Sequence, residues 1–370
     1  MERKKVMFFI YRMGGGGAAR TMLNIINHID RSKFKPMLVT LDFSYTYESY
    51  LREDVEFIKL PVQRLRQAII PLAKLIRQEK PDLLFSTVPN YNTIAILAKI
   101  LARTKTKLVV REAAYLGGTT KENLKLKIYG LLYRMSNRVV ALSEGVKQNL
   151  ILRYHVREDQ IKVIYNPVDL NHIKNESEKS VEEELLFDED RKVIITAGRL
   201  VKEKDHASLL KAFARLDKKI NVHLIILGEG ELESELKKLA KQLEITDRVS
   251  FIGFKQNPYA YIKRADVFTL TSTTEGFGHV LVEALALGVP VVSTRCNPGA
   301  EEILGEEIYG MLSEVGDVSA LSQNLEQALE LTDDERKQII SKGKKRAKEF
   351  AAERIVEQYE KLFFEITKDK

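Results

Sequence analysis

The chain has 370 residues, of which 44% are hydrophobic and 30% charged, with a formal net charge of +7 and one cysteine. This length exceeds one ordinary core and fits two domains of roughly 150–200 residues each. No apolar run approaches the roughly 20 residues that span a bilayer, which excludes an integral membrane protein of the helical class. The single cysteine, Cys296, excludes an intramolecular disulfide and favours a reducing compartment, so we expect a cytoplasmic protein.

Charge is divided unequally along the chain. Residues 1–170 contain 29 Lys and Arg against 15 Asp and Glu, whereas residues 171–370 contain 30 against 37. A basic first half indicates an anionic partner, such as nucleic acid, anionic lipid or a diphosphate-bearing substrate. Scattered solvating lysines explain the same excess equally well.

The first half alternates short apolar runs with amphipathic segments. The N-terminal apolar stretch is only about six residues long and is followed by glycines, not by a cleavage site, so it predicts a first β-strand and not a signal peptide. The predicted strands are KVMFFIY, PMLVTLD, VEFIKL, DLLFST, KLVVRE and RVVALS. Such alternation predicts βαβ units around a parallel sheet.

Residues 171–190 are polar and acidic, and this break predicts a linker. A second strand series follows: KVIITAGRL, VHLIILGEG, RVSFIGF, ADVFTLTS, VPVVST and YGMLSE. We therefore predict two Rossmann-like α/β domains, residues 1–170 and 191–347, facing across a cleft. The helical segment from about 348 to 370 could pack back on the first domain. Ligands of such domains bind at the carboxyl ends of the strands.

A glycine-rich run, Gly14, Gly15, Gly16 and Gly17, follows the first predicted strand and precedes a helical segment. Backbone amides at such a turn can hold an anion. The run lacks the sixth-position glycine of GxGxxG, and no acidic residue ends the second strand, although Asp42 lies near, so nicotinamide binding is weakly supported. A tight turn explains the glycines equally well.

Three motifs follow strands of the second half. Arg199 and Lys204 come after the first strand, where two cations can hold a diphosphate. The glycines of LGEGE, residues 227–231, allow close backbone approach. Glu275 precedes a helix and Glu283 lies about two turns inside it, so both carboxylates can face one cleft beside the positive helix end. Solvated cations, an ordinary turn and a capping carboxylate are the alternatives when each motif is taken alone.

Taken in order, GRL-x3-K, LGEG, FIGF, EGFGHVLVEALALGVPVV and NPGAEEIL resemble the family-4 retaining glycosyltransferases of GT-B fold, which have two Rossmann-like domains. The resemblance covers most of residues 160–315, and YNPVD at Tyr165–Asp169 is similar to the family's NGVD signature. The first domain resembles the family in layout and in its glycine-rich loop. The resemblance implies that residues 1–170 bind the acceptor and that residues 191–347 bind the nucleotide sugar. Within the family, the motifs resemble enzymes that build bacterial polysaccharides and lipid-linked glycans.

The resemblance implies roles for these residues. Arg199 and Lys204 would bind the donor diphosphate and stabilise its charge as it leaves, and Glu275 would contact the donor sugar, which makes these three the implied catalytic set. Glu283 would accept hydrogen bonds from the ribose. The implied donor-binding set is Gly228, Glu229, Gly230, Gly253, Phe254, Gly276, Phe277, Gly278, His279, Val280 and Glu283. Gly14–Gly17 would approach the diphosphate and acceptor, together with Arg111 and Glu112, where many members carry a histidine.

Metal-binding patterns are weak in this sequence. The only Asp-x-Asp string, Asp188–Asp190, lies in the predicted linker, and His and Cys show no metal-ligand spacing. We therefore expect no metal and no cofactor. The resemblance implies a retaining transfer of a hexose or N-acetylhexosamine from a nucleotide sugar, UDP-linked by family likeness, to a glycan or polyprenyl-diphosphate-linked acceptor.

Two basic amphipathic segments, Gln63–Lys80 and Asn123–Arg138, are typical of interfacial helices. They predict a peripheral protein on the inner face of a cell membrane, and apolar sides facing the core are the equal alternative. Three rival functions remain: a GT-B-like sugar-nucleotide epimerase, a degenerate sugar-nucleotide-binding module, and a basic nucleic-acid-binding protein. No recognisable nucleic-acid-binding module is present, so we expect no nucleic-acid partner.

Overall fold

The structure is a computed structural model that describes residues 3–14, 16–43, 46–187, 190–217 and 220–368. The chain divides into two compact units. Met1–Val168 with Ala352–Lys370 form the first unit, and Asp169–Ala351 form the second. Each unit is built around a parallel sheet with helices, as predicted.

Seven parallel strands form the sheet of the first unit, in the order β3-β2-β1-β4-β5-β6-β7. Their bounds are β1 Lys4–Phe9, β2 Phe34–Leu41, β3 Glu56–Leu60, β4 Leu83–Thr87, β5 Lys107–Glu112, β6 Arg138–Ala141 and β7 Ile161–Val163. Central strands are almost wholly buried, and this explains their continuous apolar sequence. The strand order reverses between the central strands β1 and β4. The carboxyl ends of these two strands are therefore the switch point, where ligands of such sheets bind.

Six helices belong to the first unit: α1 Gly17–His28, α2 Ile69–Glu79, α3 Pro89–Ala102, α4 Thr120–Tyr133, α5 Glu144–Leu152 and α14 Ala352–Thr367. The last of them is the C-terminal helix, which packs into the core of this unit. Phe363 lies 6.3 Å from Phe8 and 5.7 Å from Phe85 between ring centroids, and Tyr359 lies 5.7 Å from Phe85. Aromatic side chains thus attach the chain's end to its first strands.

Six parallel strands form the main sheet of the second unit, in the order β10-β9-β8-β11-β13-β15. Their bounds are β8 Lys192–Ala197, β9 Val222–Leu227, β10 Val249–Phe251, β11 Val267–Leu270, β13 Val291–Thr294 and β15 Met311–Ser313. Two short strands, β12 Thr274–Glu275 and β14 Asn297–Pro298, pair separately. Here the order reverses between β8 and β11.

The helices of the second unit are α6 Leu170–Ser177, α7 His206–Phe213, α8 Glu233–Gln242, α9 Tyr259–Lys263, α10 His279–Leu287, α11 Gly299–Leu304, α12 Val318–Leu329 and α13 Asp333–Lys348. Within the described ranges, no helix combines the length and apolar character needed to cross a bilayer.

The structure differs from the sequence-based expectation in the predicted linker. Residues 170–177 form α6, which packs on α9 and α10, with Ile173 buried. Lys255 Nζ lies 2.9 Å from a Glu182 carboxylate oxygen and 2.5 Å from one of Glu183, so the acidic stretch is tied to the second unit. Asp188 and Glu189 lie outside the described residues. Polar composition alone did not reveal that a lysine distant in sequence would neutralise these carboxylates.

Candidate active site

Lys204 and Glu275 lie at the switch point of the second sheet. Lys204 follows β8 and Glu275 lies after β11, and the Lys204 ammonium forms an ion pair with Glu275 Oε1. Ser272 Oγ donates to the same oxygen at 2.9 Å. Both charged side chains are mostly buried, at 21% and 16% exposure, so screening by water is reduced and each fixes the position of the other.

Backbone contacts hold the two loops that carry this pair. Thr273 N donates to Glu203 O at 2.8 Å, and Thr271 Oγ1 donates to Lys204 O at 3.0 Å. On the other side, β12 pairs with β14 in parallel. A Cβ on Gly299 would lie 2.4 Å from Phe277 O, so only glycine allows this approach. The segment Asn297–Gly299 therefore positions Glu275. Its Pro-Gly pattern, which follows a strand, is the sequence signal that could have suggested this role.

Arg199 is exposed in the loop that follows β8 and leads to Lys204, and no acidic side chain in the described parts of the chain pairs with it. Its loop is joined to the loop after β9, since Gly198 N donates to Leu227 O and Leu200 N to Glu229 O, both at 2.9 Å. The guanidinium is thus a fixed-charge donor free to bind an anion.

The glycines of LGEG have a packing role. A Cβ on Gly228 would lie 1.9 Å from Gly198 O, and one on Gly230 would lie 2.3 Å from Leu200 O. Both positions must therefore be glycine for the loops after β8 and β9 to touch. The sequence indicated that these glycines allow close backbone approach. In the structure, the backbone that approaches them is that of the loop after β8.

Phe254 extends the same strand-end surface to β10. Its ring is 67% exposed, unusual for phenylalanine, and its amide donates to Glu229 Oε1 at 3.4 Å. Gly253 has a φ of 73°, and its carbonyl accepts from Gly228 N at 2.8 Å. An open aromatic face therefore lies beside the glycine loop, where a planar base could stack.

The first turn of α10 completes the predicted set. Gly278, with a φ of 88°, precedes the helix, and the amides of His279 and Val280 stand in its first turn, where no intrahelical acceptor exists. Phe277 is buried and lies 5.3 Å from the Phe350 ring, so its side chain anchors the turn. Gly276 lies between this anchor and Glu275. Glu283, further along α10, is 1% exposed.

Neighbouring titratable groups are held neutral. Burial, reinforced by the negative charge of Glu275, raises the pKa of the Cys296 thiol to about 12. Burial, together with the charge of Lys204, lowers the pKa of His206 to about 4. Near neutral pH, Cys296 and His206 therefore add no charge to the cationic groups of Arg199 and Lys204. The described residues contain no group of three or more His, Cys, Asp and Glu side chains placed to hold a metal ion.

The glycine-rich run of the first unit follows β1 at the other switch point. Gly16 caps α1 and Gly17 begins it, whereas Gly15 lies outside the described residues. A Cβ on Gly16 would meet nothing within 4 Å, so the protein's own packing does not demand glycine there. Gly14 O accepts the Gly16 amide at 2.9 Å.

Arg111 and Glu112, expected beside the acceptor, lie inside the first unit. Arg111 donates to Thr87 Oγ1 at 2.9 Å and to Asn166 Oδ1. Glu112 accepts from the hydroxyls of Tyr133 and Tyr154 at 2.9 and 3.1 Å. Both side chains are at most 1% exposed, so the structure does not bring them to the surface with the glycine run. Burial raises the pKa of Glu112 to about 7.

Comparisons with known proteins agree with this architecture. Residues 15–172 match the family described as Glycosyltransferase Family 4, and residues 177–346 match Glycosyl transferases group 1. The N-acetylgalactosamine-N,N'-diacetylbacillosaminyl-diphospho-undecaprenol 4-alpha-N-acetylgalactosaminyltransferase of Campylobacter jejuni is 33% identical over 94% of this chain and 96% of its own length. A second C. jejuni enzyme, a GalNAc-alpha-(1->4)-GalNAc-alpha-(1->3)-diNAcBac-PP-undecaprenol alpha-1,4-N-acetyl-D-galactosaminyltransferase, is 27% identical over 98% of this chain and 99% of its own.

Solved structures share the fold. Anabaena Alr3699/HepE, crystallised with UDP, matches with a TM-score of 0.83 at 22% identity, covering 98% of this chain and 100% of that one. WaaG, a glycosyltransferase involved in lipopolysaccharide biosynthesis, matches with a TM-score of 0.72 at 16% identity, covering 98% and 100%. The predicted GT-B architecture is thereby confirmed, and the chain belongs to the family-4 glycosyltransferases.

Proposed function

We propose that this glycosyltransferase moves a hexose or N-acetylhexosamine from a nucleotide sugar to a lipid-linked glycan, with retention at the anomeric carbon and without a metal ion. The observation that carries the proposal is the placement of Lys204 and Glu275 across the switch point of the second sheet, with Arg199 exposed in the same loop as Lys204. Switch points are where such sheets bind nucleotides.

The proposed chemistry depends on charge stabilisation. When a nucleoside diphosphate leaves an anomeric carbon, negative charge grows on the phosphate oxygens. Arg199 can bind these oxygens with two parallel N–H donors, and Lys204 adds a point charge already fixed by Glu275. First-turn amides of α10 add the positive end of a helix dipole. Donors that are in place before the reaction need no reorganisation, and this makes their stabilisation effective.

The donor base and ribose would lie along the strand ends of β9 and β10. In the proposal the exposed Phe254 ring stacks on the base, while the buried Glu283 carboxylate accepts from the ribose hydroxyls. UDP is the proposed nucleotide, supported by the UDP complex of the similar Anabaena structure. A lipid-linked acceptor is supported by the two C. jejuni relatives, whose names describe diphospho-undecaprenol substrates. The epimerase and nucleic-acid alternatives receive no support from these comparisons.

We further propose that the first unit rests on an anionic membrane surface through α4. Leu124, Ile128 and Leu131 follow one another at spacings of four and three, so they share one face of α4, and Met135 follows just beyond the helix end; each of the four is 53–62% exposed. Exposed lysines, Lys121, Lys125 and Lys127, accompany this stripe. The first unit carries 33 Lys and Arg against 19 Asp and Glu, whereas the second carries 26 against 33. Apolar side chains flanked by cations are typical of interfacial helices.

Donor binding can be tested with three variants. A thermal-shift screen of UDP- and GDP-sugars should identify a stabilising donor. Lys204→Ala should lower kcat on the order of 100-fold, because it removes a donor that acts on developing charge. Glu283→Gln should raise the donor Kd roughly tenfold, because it removes a charged hydrogen-bond acceptor. Lys202→Ala is the matched control: this exposed lysine lies two residues away and should leave both quantities unchanged. Near-normal kinetics in the first two variants would contradict the site.

A further inference from the structure

A cavity of about 510 Å³ is lined by residues of the first unit. Its lining includes Tyr11, Arg64, Arg66, Asn90, Thr93 and Tyr129, and none of the described residues that line it is acidic. These residues come from four separate stretches of the chain. Arg64, Arg66 and Tyr129 belong to the two basic amphipathic segments noted in the sequence, but none of the lining residues was predicted to bind a ligand.

The cavity opens at the switch point of the first sheet. Tyr11 follows β1, and Asn90 lies in the first turn of α3, which follows β4. These are the neighbouring strands between which the strand order reverses. A crevice outside the carboxyl ends of two such strands is the usual ligand position in open α/β sheets.

Backbone strain marks the same place. Val88, between β4 and α3, has a φ of 77°, a conformation that β-branched residues rarely adopt. Its carbonyl accepts the amides of Tyr91 and Asn92 at 3.0 and 2.9 Å, and its own amide donates to Arg111 O at 3.2 Å. Hydrogen bonds therefore hold the start of α3 against its local preference, as is common near ligand sites.

The electrostatics of the cavity favour an anion. Arg64 and Arg66 are exposed at its rim, and in the described residues neither forms an ion pair with a carboxylate. The first turn of α3 adds the positive end of a 14-residue helix. Two guanidinium groups and a helix terminus suit a diphosphate better than a singly charged anion, because each guanidinium can bind two oxygens.

Fixed aromatic rings form another part of the wall. Tyr11 stacks on Tyr91 with ring centroids 5.8 Å apart, and its hydroxyl donates to Gln63 O at 3.2 Å. Tyr129 donates its hydroxyl to Asn90 Oδ1 at 2.6 Å. Rings held in this way offer apolar faces to the C–H side of a sugar, while the amide of Asn90 and the hydroxyl of Thr93 suit its polar groups.

We propose that this cavity binds the sugar-diphosphate end of the acceptor, with Arg64 and Arg66 on the diphosphate and Tyr11 and Tyr129 against the sugar. The inference rests on the proposed function and identifies the residues that would select its acceptor. Tyr129 belongs to α4, the helix whose apolar stripe is proposed to touch the membrane. A lipid-linked ligand could therefore place its diphosphate in the cavity while its hydrocarbon chain stays in the bilayer.

A sugar diphosphate is also part of a soluble nucleotide sugar. The test therefore compares a lipid-linked sugar diphosphate with a nucleotide sugar. Three ligands are titrated against the full chain: N-acetylglucosamine linked by a diphosphate to farnesol, UDP-N-acetylglucosamine, and inorganic pyrophosphate. The test variant is Arg64→Ala/Arg66→Ala. The control is Lys74→Ala/Lys105→Ala, which removes the same charge from exposed positions outside the cavity. Thermal unfolding verifies that each variant is folded.

The test variant should weaken binding of the farnesyl ligand at least tenfold and leave binding of the nucleotide sugar within twofold. Tyr129→Phe should weaken the farnesyl ligand by a smaller factor, because the ring stays while its bond to Asn90 is lost. Unchanged farnesyl binding, or an equal loss in the control, would overturn the proposal. Loss of nucleotide-sugar binding instead would assign the cavity to the donor and also overturn it. If wild-type protein binds no nucleotide sugar at all, the proposed function fails, whereas a failure confined to the farnesyl ligand removes only the cavity proposal.

Discussion

Arg111 and Glu112 are consecutive residues of β5, and the alternation of a strand sends their side chains to opposite faces of the sheet. Arg111 meets Thr87 and Asn166, and Glu112 meets two tyrosine hydroxyls. Ionisable groups can stay inside a protein when hydrogen bonds replace their water. The family resemblance implied a ligand-binding role for Arg111 and Glu112 at this strand end. Nothing local in the sequence reveals Tyr133 and Tyr154, whose hydroxyls reach Glu112 from α4 and from just beyond α5.

The pKa of Glu112 makes a prediction about pH. It is raised from 4.5 to about 7, chiefly because burial disfavours the charged form. A folded-state pKa above the unfolded value means that this group's stabilisation is complete below pH 4.5 and is lost as pH rises through 7. Glu112→Gln cannot ionise and keeps a similar shape. Relative to wild type, the variant should therefore gain stability between pH 5 and pH 8, by up to about 3 kcal/mol.

Thermal unfolding of both proteins across that pH range measures this difference. Other titrating groups, including His206 and His223 with pKa values lowered to about 4 by burial, are present in both proteins and cancel in the difference. A difference in Tm that does not change with pH, or that changes in wild type's favour as pH rises, would contradict the assignment.

At the scale of elements, α4 combines two surfaces. Its buried side, with Leu126, Gly130 and Tyr133, packs into the first unit, and a Cβ on Gly130 would lie 1.7 Å from Tyr154 O. Its opposite side presents Leu124, Ile128 and Leu131 to solvent, and Met135 is exposed just beyond the helix end. An apolar helix surface that stays exposed often marks an interaction site. In the membrane proposal, the bilayer covers the exposed apolar side of α4.

Leu124→Gln/Leu131→Gln tests the stripe without weakening the helix, since glutamine is a good helix former. In vesicle flotation with phosphatidylglycerol at low salt, wild-type protein should float, and this variant should partition at least tenfold less because burial of two leucines is lost. Ile100→Gln/Leu152→Gln is the control, because both residues are exposed and lie on other helices of the same unit. Absence of wild-type flotation, or equal loss in both variants, would contradict the membrane proposal.

The sequence predicted the buried strands of both sheets well, including the three-residue strands β10 and β15, and missed β7, β12 and β14. Central strands such as β1, β4 and β9 were recognisable because buried parallel strands are continuous apolar runs. The three-residue strand β7 and the two-residue strands β12 and β14 carry no periodicity to recognise. Helix α6 was taken for linker because only Ile173 and Ser177 of its eight residues are buried.

At the scale of the molecule, the two candidate sites differ in how visible they were. The donor motifs are contiguous strand-end segments, so the sequence named Arg199, Lys204 and Glu275 directly. The cavity of the first unit is assembled from residues near positions 11, 64, 90 and 129, which come from four separate segments, and no segment alone predicts a ligand site. Only the strand order β3-β2-β1-β4-β5 brings them together, and strand order cannot be read from local pattern.

The central claim is that this chain transfers a sugar from a nucleotide donor with retention and without metal. Proton NMR can follow that reaction directly. The reaction contains the donor found by thermal shift, the acceptor N-acetylglucosamine linked by a diphosphate to farnesol, and excess EDTA. The account predicts that nucleoside diphosphate and glycoside appear in equal amounts, and that the first-formed glycoside has the anomeric configuration of the donor. Diphosphate release without glycoside, a product of inverted configuration, or loss of activity in EDTA would contradict it.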